Sequence, residues 1–143
     1  MLLPITLTLA AAATLLNIWL GIRVSRVRIS NKVLHGDGGC EPLVRRMRAH
    51  ANFVEYTPFV LILFALVELA IGPQAWLWVL ALIYILARIT HAFGMDASIP
   101  SKLRMAGIAF TYLTMIILSV AALYAAYGSM REIEVPPALA AHV

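Results

Sequence analysis

The sequence predicts an all-α membrane protein, a bundle of four transmembrane helices, and three observations carry that reading. Of 143 residues, 62% are hydrophobic and only 13% charged, more apolar surface than a soluble core of this size can hide. The apolar residues fall into four blocks, each close to the roughly 20 residues that cross a hydrocarbon layer. The blocks are continuous rather than alternating, which excludes barrel strands and leaves helices to satisfy the backbone in lipid.

Taken in order, the first helix is expected over residues 2–28. Met1 to Ile22 carries no charge, and Arg23, Arg26 and Arg28 follow the apolar run instead of preceding it. That is the reverse of a cleaved signal peptide, so the helix is retained. The stretch "ISNKVLHGDGGCEP" connects it to a second helix over 41–71, whose apolar part is broken only by Glu55 and Glu68. "GDGG" is a turn signal, because glycine takes positive φ freely. "IGPQ" makes a tight turn into a third helix over 75–95, interrupted by Arg88 and His91. "DASIPSK" leads to a fourth helix over 102–128, with Ser98 and Ser101 as candidate caps, and the tail 129–143 is expected to be loose. The chain thus reads as one domain.

Charge sets the expected orientation. Ten of the eleven Lys and Arg residues lie on or near the face that carries the first and third connections; Arg131 alone lies at the other. The positive-inside rule places that face in the cytoplasm and both termini outside. Arg23, Lys32, Arg45 and Arg46 read as topology signals and anchors to anionic lipid head groups. Nucleic acid is not an expected partner, since no soluble basic face with interleaved aromatics exists. Trp19, Trp76, Trp78, Tyr124 and Tyr127 sit near span ends, as interfacial aromatics do. Cys40 is the only cysteine, so no internal disulfide forms, and the four histidines have no metal-ligand spacing; no metal is expected.

One stretch resists a purely structural account. In "RRMRAHANFVEYTPF", residues 45–59, Arg48, Asn52 and Glu55 fall on one helical stripe at i, i+4 and i+7, bordered by Tyr56. Lipid rejects such a stripe, so it faces the bundle or a subunit interface. Arg88 and His91 on the third helix and Arg104 at the start of the fourth converge near the same depth. Buried ion pairs, Arg48 or Arg88 with Glu55, would fix packing and nothing more. Several arginines around one acid point instead to an anionic ligand with polar arms.

"RAHANFVEYTP" resembles the helix-2 signature of the MAPEG family (membrane-associated proteins in eicosanoid and glutathione metabolism), in the form Arg-Ala-x-x-Asn-x-x-Glu-Tyr-x-Pro. Arg48, Ala49, Asn52, Glu55, Tyr56 and Pro58 match it, and the flanking "HGDGG" is most similar to the bacterial branch. "RITHAFG" resembles the family's Arg-x-x-His segment through Arg88 and His91. The resemblance covers nearly the whole chain, residues 1–143, and implies a homotrimer in the bacterial inner membrane with glutathione bound between subunits near the cytoplasmic face. It implies that Arg48, Asn52, Glu55, Tyr56, Arg88 and His91 hold the tripeptide, with Arg26, or else Arg28, as the helix-1 arginine. Arg104 falls where the family carries the arginine proposed to stabilise the thiolate. The chain departs from some members at Met95, where they have a tyrosine that contacts glutathione.

The residue types suit that chemistry. Glutathione carries two carboxylates and one ammonium; arginines clamp the former and Glu55 holds the latter. A free thiol is only a few per cent ionised at neutral pH, and a guanidinium that favours the anion by about 2.7 kcal/mol makes the thiolate the majority form. The expected function is therefore a glutathione transferase or peroxidase, with glutathione as co-substrate and a lipophilic electrophile or hydroperoxide arriving from the bilayer. The alternative is a non-enzymatic trimer that binds glutathione or a lipid anion as sensor or scaffold. A transporter is disfavoured, because beyond Asn17, Glu68 and a few threonines the outer half offers little polarity.

Overall fold

A computed structural model describes residues 2–99 and 101–134. Four helices follow one another, α1 (Pro4–Ser30), α2 (Glu41–Ile71), α3 (Ala75–Gly94) and α4 (Lys102–Glu134), and all four are long and apolar enough to cross a membrane. The chain is thus the all-α membrane bundle its composition predicts. Helix bounds differ from expectation mainly at the ends. α4 continues to Glu134, so residues 129–134 are helical rather than loose; the rest of the tail, 135–143, lies outside the described residues.

The helices pair α1 with α2 and α3 with α4, while α2 touches both α3 and α4 and α1 touches α3. Among the described residues α1 and α4 do not meet. The core follows the apolar blocks. Ile5 and Leu9 of α1, Val60, Phe64 and Val67 of α2, Leu77 and Tyr84 of α3 and Leu118 of α4 form one buried cluster toward the α2–α3 turn. A smaller one, built on Leu16, Leu20, Phe53 and Ala92, lies toward the opposite end. The opposite end carries the α1–α2 and α3–α4 connections and most of the arginines, and is called the basic end below.

Polar contacts close both ends. Near the α2–α3 turn Glu68 is fully buried, and its carboxylate accepts hydrogen bonds from the Ile5 and Thr6 amides (3.0 and 2.8 Å) and the Thr6 hydroxyl (2.7 Å). α1 begins at Pro4, which has no N–H, and its own N-cap, Leu3, makes no side-chain cap. Glu68 therefore caps α1 from another helix, satisfying donors that otherwise have no partner in lipid, and its charge suits the positive end of the helix dipole.

At the basic end Arg23 is buried and paired with Asp96, just past α3, and also donates to Ala92 O (3.4 Å). Its guanidinium lies 4.6 Å from the Trp19 ring centroid. Arg46 reaches the same carboxylate (3.6 Å) and donates to Arg23 O (3.2 Å). Arg45 pairs with Glu41 (3.0 Å). Arg23, Arg46 and Trp19 thus tie α1, α2 and α3 together, where sequence reading treats them as lipid anchors and an interfacial aromatic. Ser101 behaves as a cap, accepting from the Leu103 amide (3.2 Å).

α3 and α4 pack closely against each other. A methyl group on Gly107 would stand 2.6 Å from His91 Cβ and 2.7 Å from Ala87 O, and one on Gly94 would stand 2.6 Å from Arg104 Cα. All three distances are far inside van der Waals contact, so only glycine permits this approach, as small residues do where membrane helices pack. The His91 Nδ1–H donates to Arg104 O (3.2 Å) across the gap.

Substitutions at two positions test these contacts. Gly107→Val should lower stability by about 1–3 kcal/mol through overpacking, read as a lower midpoint in detergent unfolding followed by circular dichroism; an unchanged midpoint contradicts the close crossing. Glu68→Ala should lose about 2 kcal/mol by leaving buried amides without an acceptor, and Glu68→Gln clearly less. Equal losses for the two would show that the capping hydrogen bonds are not what Glu68 contributes.

Candidate functional site

The predicted stripe forms one wall of a cavity of about 430 Å³. Arg48, Ala51, Asn52 and Glu55 of α2 face Arg104, Ile108 and Tyr112 of α4, with His91 of α3 and Met95 just beyond its end between them. The periodicity explains the arrangement. Residues 48, 52 and 55 share a face of α2, and residues 104, 108 and 112 share a face of α4. Both helices start at the basic end, so Arg48 and Arg104 sit near the mouth, while Glu55 and Tyr112 lie about 10–12 Å further along their helices.

Arg88 stands behind this lining. It is 1% exposed, and its partners are neutral: Asn52 Oδ1 at 2.7 Å and the Thr111 hydroxyl at 3.3 Å. The Thr111 hydroxyl donates in turn to Gly107 O (2.9 Å), so its oxygen is free to accept. The Arg88 Nε has no partner among the described residues, and the guanidinium lies 5.7 Å from the Phe53 ring centroid. The ion pairs of Arg88 or Arg48 with Glu55, allowed by the sequence, do not form. Arg48, Glu55 and Arg104 make no side-chain hydrogen bond or ion pair with any described residue, and all three are exposed.

Two details orient the polar lining. Because Asn52 Oδ1 is occupied by Arg88, the Asn52 amide N–H groups are left as donors. Because His91 donates through Nδ1 to a carbonyl, its neutral ring keeps Nε2 as an acceptor. The site therefore presents three guanidiniums, an amide donor and an imidazole acceptor around a single carboxylate. A buried cation without a counter-charge is expensive, and an anion in the cavity would offset that cost.

Of the residues singled out by sequence, Arg48, Asn52, Glu55, His91 and Arg104 line the cavity, and Arg88 is one hydrogen bond behind it. Tyr56 does not line it; its hydroxyl bonds that of Tyr112 (2.9 Å), with the rings edge to face at 5.5 Å. Arg26 is exposed and outside the lining, because the buried position near the end of α1 belongs to Arg23. Arg28 turns back to Gly36 O (2.7 Å) and Met47 Sδ (3.3 Å). Met95 is buried at the cavity, and Tyr84, one turn before Arg88, is engaged with the Thr57 hydroxyl (2.8 Å) and does not reach it. Tyr112 was missed from sequence; its i+8 relation to Arg104 is the signal that could have found it. Among the described residues no cluster of His, Cys, Asp or Glu could hold a metal ion.

The chain is 29% identical over 116 residues to the inner membrane protein YecN of Escherichia coli K12, a match covering 80% of this chain and 87% of that protein. YecN of Escherichia coli O6:H1 gives the same figures. The family model for MAPEG matches residues 6–124, which include the whole cavity lining from Arg48 to Tyr112. On that match, the chain belongs to the MAPEG family.

Proposed function

We propose that this protein is an integral membrane glutathione transferase, with peroxidase activity on lipid hydroperoxides as a related outcome of the same thiolate. The observation that carries the reading is Arg88, a guanidinium buried beside the cavity with only neutral partners. With Arg48 and Arg104 it gives three fixed positive charges to one acid, the balance that two carboxylates, a thiolate and one ammonium require. Size agrees as well. The lining from the Arg48–Arg104 mouth to the Glu55–Tyr112 end extends about 10–12 Å, and three extended residues reach about 10 Å.

In this reading Arg48 clamps a carboxylate, Asn52 binds the peptide backbone, Glu55 holds the ammonium, and Arg88 supplies positive field through Asn52. Arg104 lies by the sulfur and favours its ionised form, and Tyr56 acts through Tyr112. The thiolate then attacks a lipophilic electrophile that reaches the cavity from the bilayer. The basic end is the cytoplasmic one and both termini are outside, following the distribution of arginines. The inner membrane is the site, as for the related YecN.

The functional unit is a homotrimer. Arg48, Glu55 and Tyr112 are exposed in the single chain, as is Asn17, which bonds His50 (2.8 Å). Polar side chains on this surface need cover from something other than lipid tails. A neighbouring copy would close the cavity and bring Arg26, idle in one protomer, toward it. The sensor or scaffold reading is favoured by one observation, that buried Met95 stands where a phenol would donate to the ligand.

Titrating detergent-purified protein with glutathione separates the two readings. The ultraviolet thiolate band should appear near neutral pH in wild type and fall by about 20-fold in Arg104→Ala, the ratio between majority and a few per cent ionisation. Saturable binding by calorimetry with no thiolate band would favour the sensor, and absence of binding would remove glutathione from the account.

A further inference from the structure

The Tyr56–Tyr112 pair has two phenolic protons and uses only one between the oxygens. Tyr112 is the member that lines the cavity, and its side chain is not buried. With Tyr56 donating to it, the Tyr112 proton is free to donate into the cavity. The position matters because Tyr56 adjoins Glu55 in sequence, so the Tyr112 hydroxyl sits at the depth of the one acid in the lining.

Among the lining side chains Glu55 is the one acid, and so the one counter-charge for a ligand ammonium. In a γ-glutamyl group the ammonium shares its carbon with a carboxylate, so that carboxylate must arrive at the same end of the cavity. Arg48 and Arg104 are at the other end, two helical turns away, and Met95 has no donor to offer. The donors left at this end are the Asn52 amide and the Tyr112 hydroxyl. The geometry points to Tyr112 as the residue that recognises the α-carboxylate of a γ-glutamyl thiol, making the site selective for thiols that carry a free amino acid at that end. The inference rests on the glutathione reading above and assigns a specificity role that the family motif on α2 does not contain.

A cycle between one protein hydroxyl and one ligand carboxylate tests it. The probes are glutathione and its decarboxylated analogue, 4-aminobutyryl-cysteinyl-glycine, which keeps the ammonium and thiol and lacks only that carboxylate. Wild type should bind the analogue about tenfold or more weakly, as expected for loss of a hydrogen bond to a charged group. Tyr112→Phe, which keeps the ring and its edge contact with Tyr56, should bind glutathione about tenfold more weakly and lose most of the discrimination, with a coupling of at least about fivefold. Wild type binding both ligands equally overturns the assignment without recourse to any variant. So does a Tyr112→Phe protein that keeps full discrimination, or losses that simply multiply. If wild type binds neither ligand, the glutathione reading itself fails and this inference with it; if it binds glutathione while Tyr112→Phe behaves as wild type, only the role of Tyr112 is lost.

Discussion

The close crossing of α3 and α4 at Gly94 and Gly107 is the contact on which the site depends. Any side chain at either glycine would push into Arg104, His91 or Ala87 and part the helices. Held together, the two helices bring the start of α4 against the end of α3, so that Arg104 opens the cavity and the His91 ring is locked to its carbonyl. The same approach lets Thr111 of α4 accept from Arg88 of α3 while donating to Gly107 O. Helix packing in lipid gains little from burial of apolar area, which makes small residues and interhelical hydrogen bonds the terms that matter. Here both act at one crossing.

That crossing also fixes an uneven distribution of charge. Asp96 is committed to Arg23 and Arg46, and Glu68 to the start of α1. Glu55 is then the single acid among the cavity side chains, opposed by Arg48, Arg104 and the buried Arg88. An assembly selected only for stability would pair these cations or replace them with apolar residues. Retaining them uncompensated fits a site whose counter-charge comes from a ligand.

The parts legible in the sequence were those written in local spacing. Four apolar blocks gave the helices, and the 48/52/55 stripe gave one wall of the cavity, because i, i+4 and i+7 positions share a face whatever the tertiary fold. What was hidden depended on distant partners. Nothing in the order of residues says that Asp96 pairs with Arg23 or that Glu68 caps a helix 62 residues earlier; both are acids that sequence alone treats as interruptions. Arg26 and Arg23 are one turn apart on α1, and only the packing decides that Arg23 is buried and Arg26 exposed. Tyr112 was obscured by its surroundings, an aromatic in an apolar helix that reads as lipid-facing until Tyr56 is found beside it. The continuation of α4 to Glu134 is not legible because polar residues after Tyr127 end the apolar run without ending the helix.

The most direct test of the central claim, that the α2–α3–α4 cavity is an anion-binding thiol site, is an electron cryo-microscopy map of the protein in lipid nanodiscs with glutathione. The account predicts ligand density along the lining, with its ammonium end at Glu55 and Tyr112, its sulfur by Arg104, and a neighbouring subunit closing the open side. A ligand-free cavity in which Arg48 or Arg88 has turned to pair with Glu55, at glutathione concentrations that saturate any measured binding, would contradict it and return the cluster to a purely structural role.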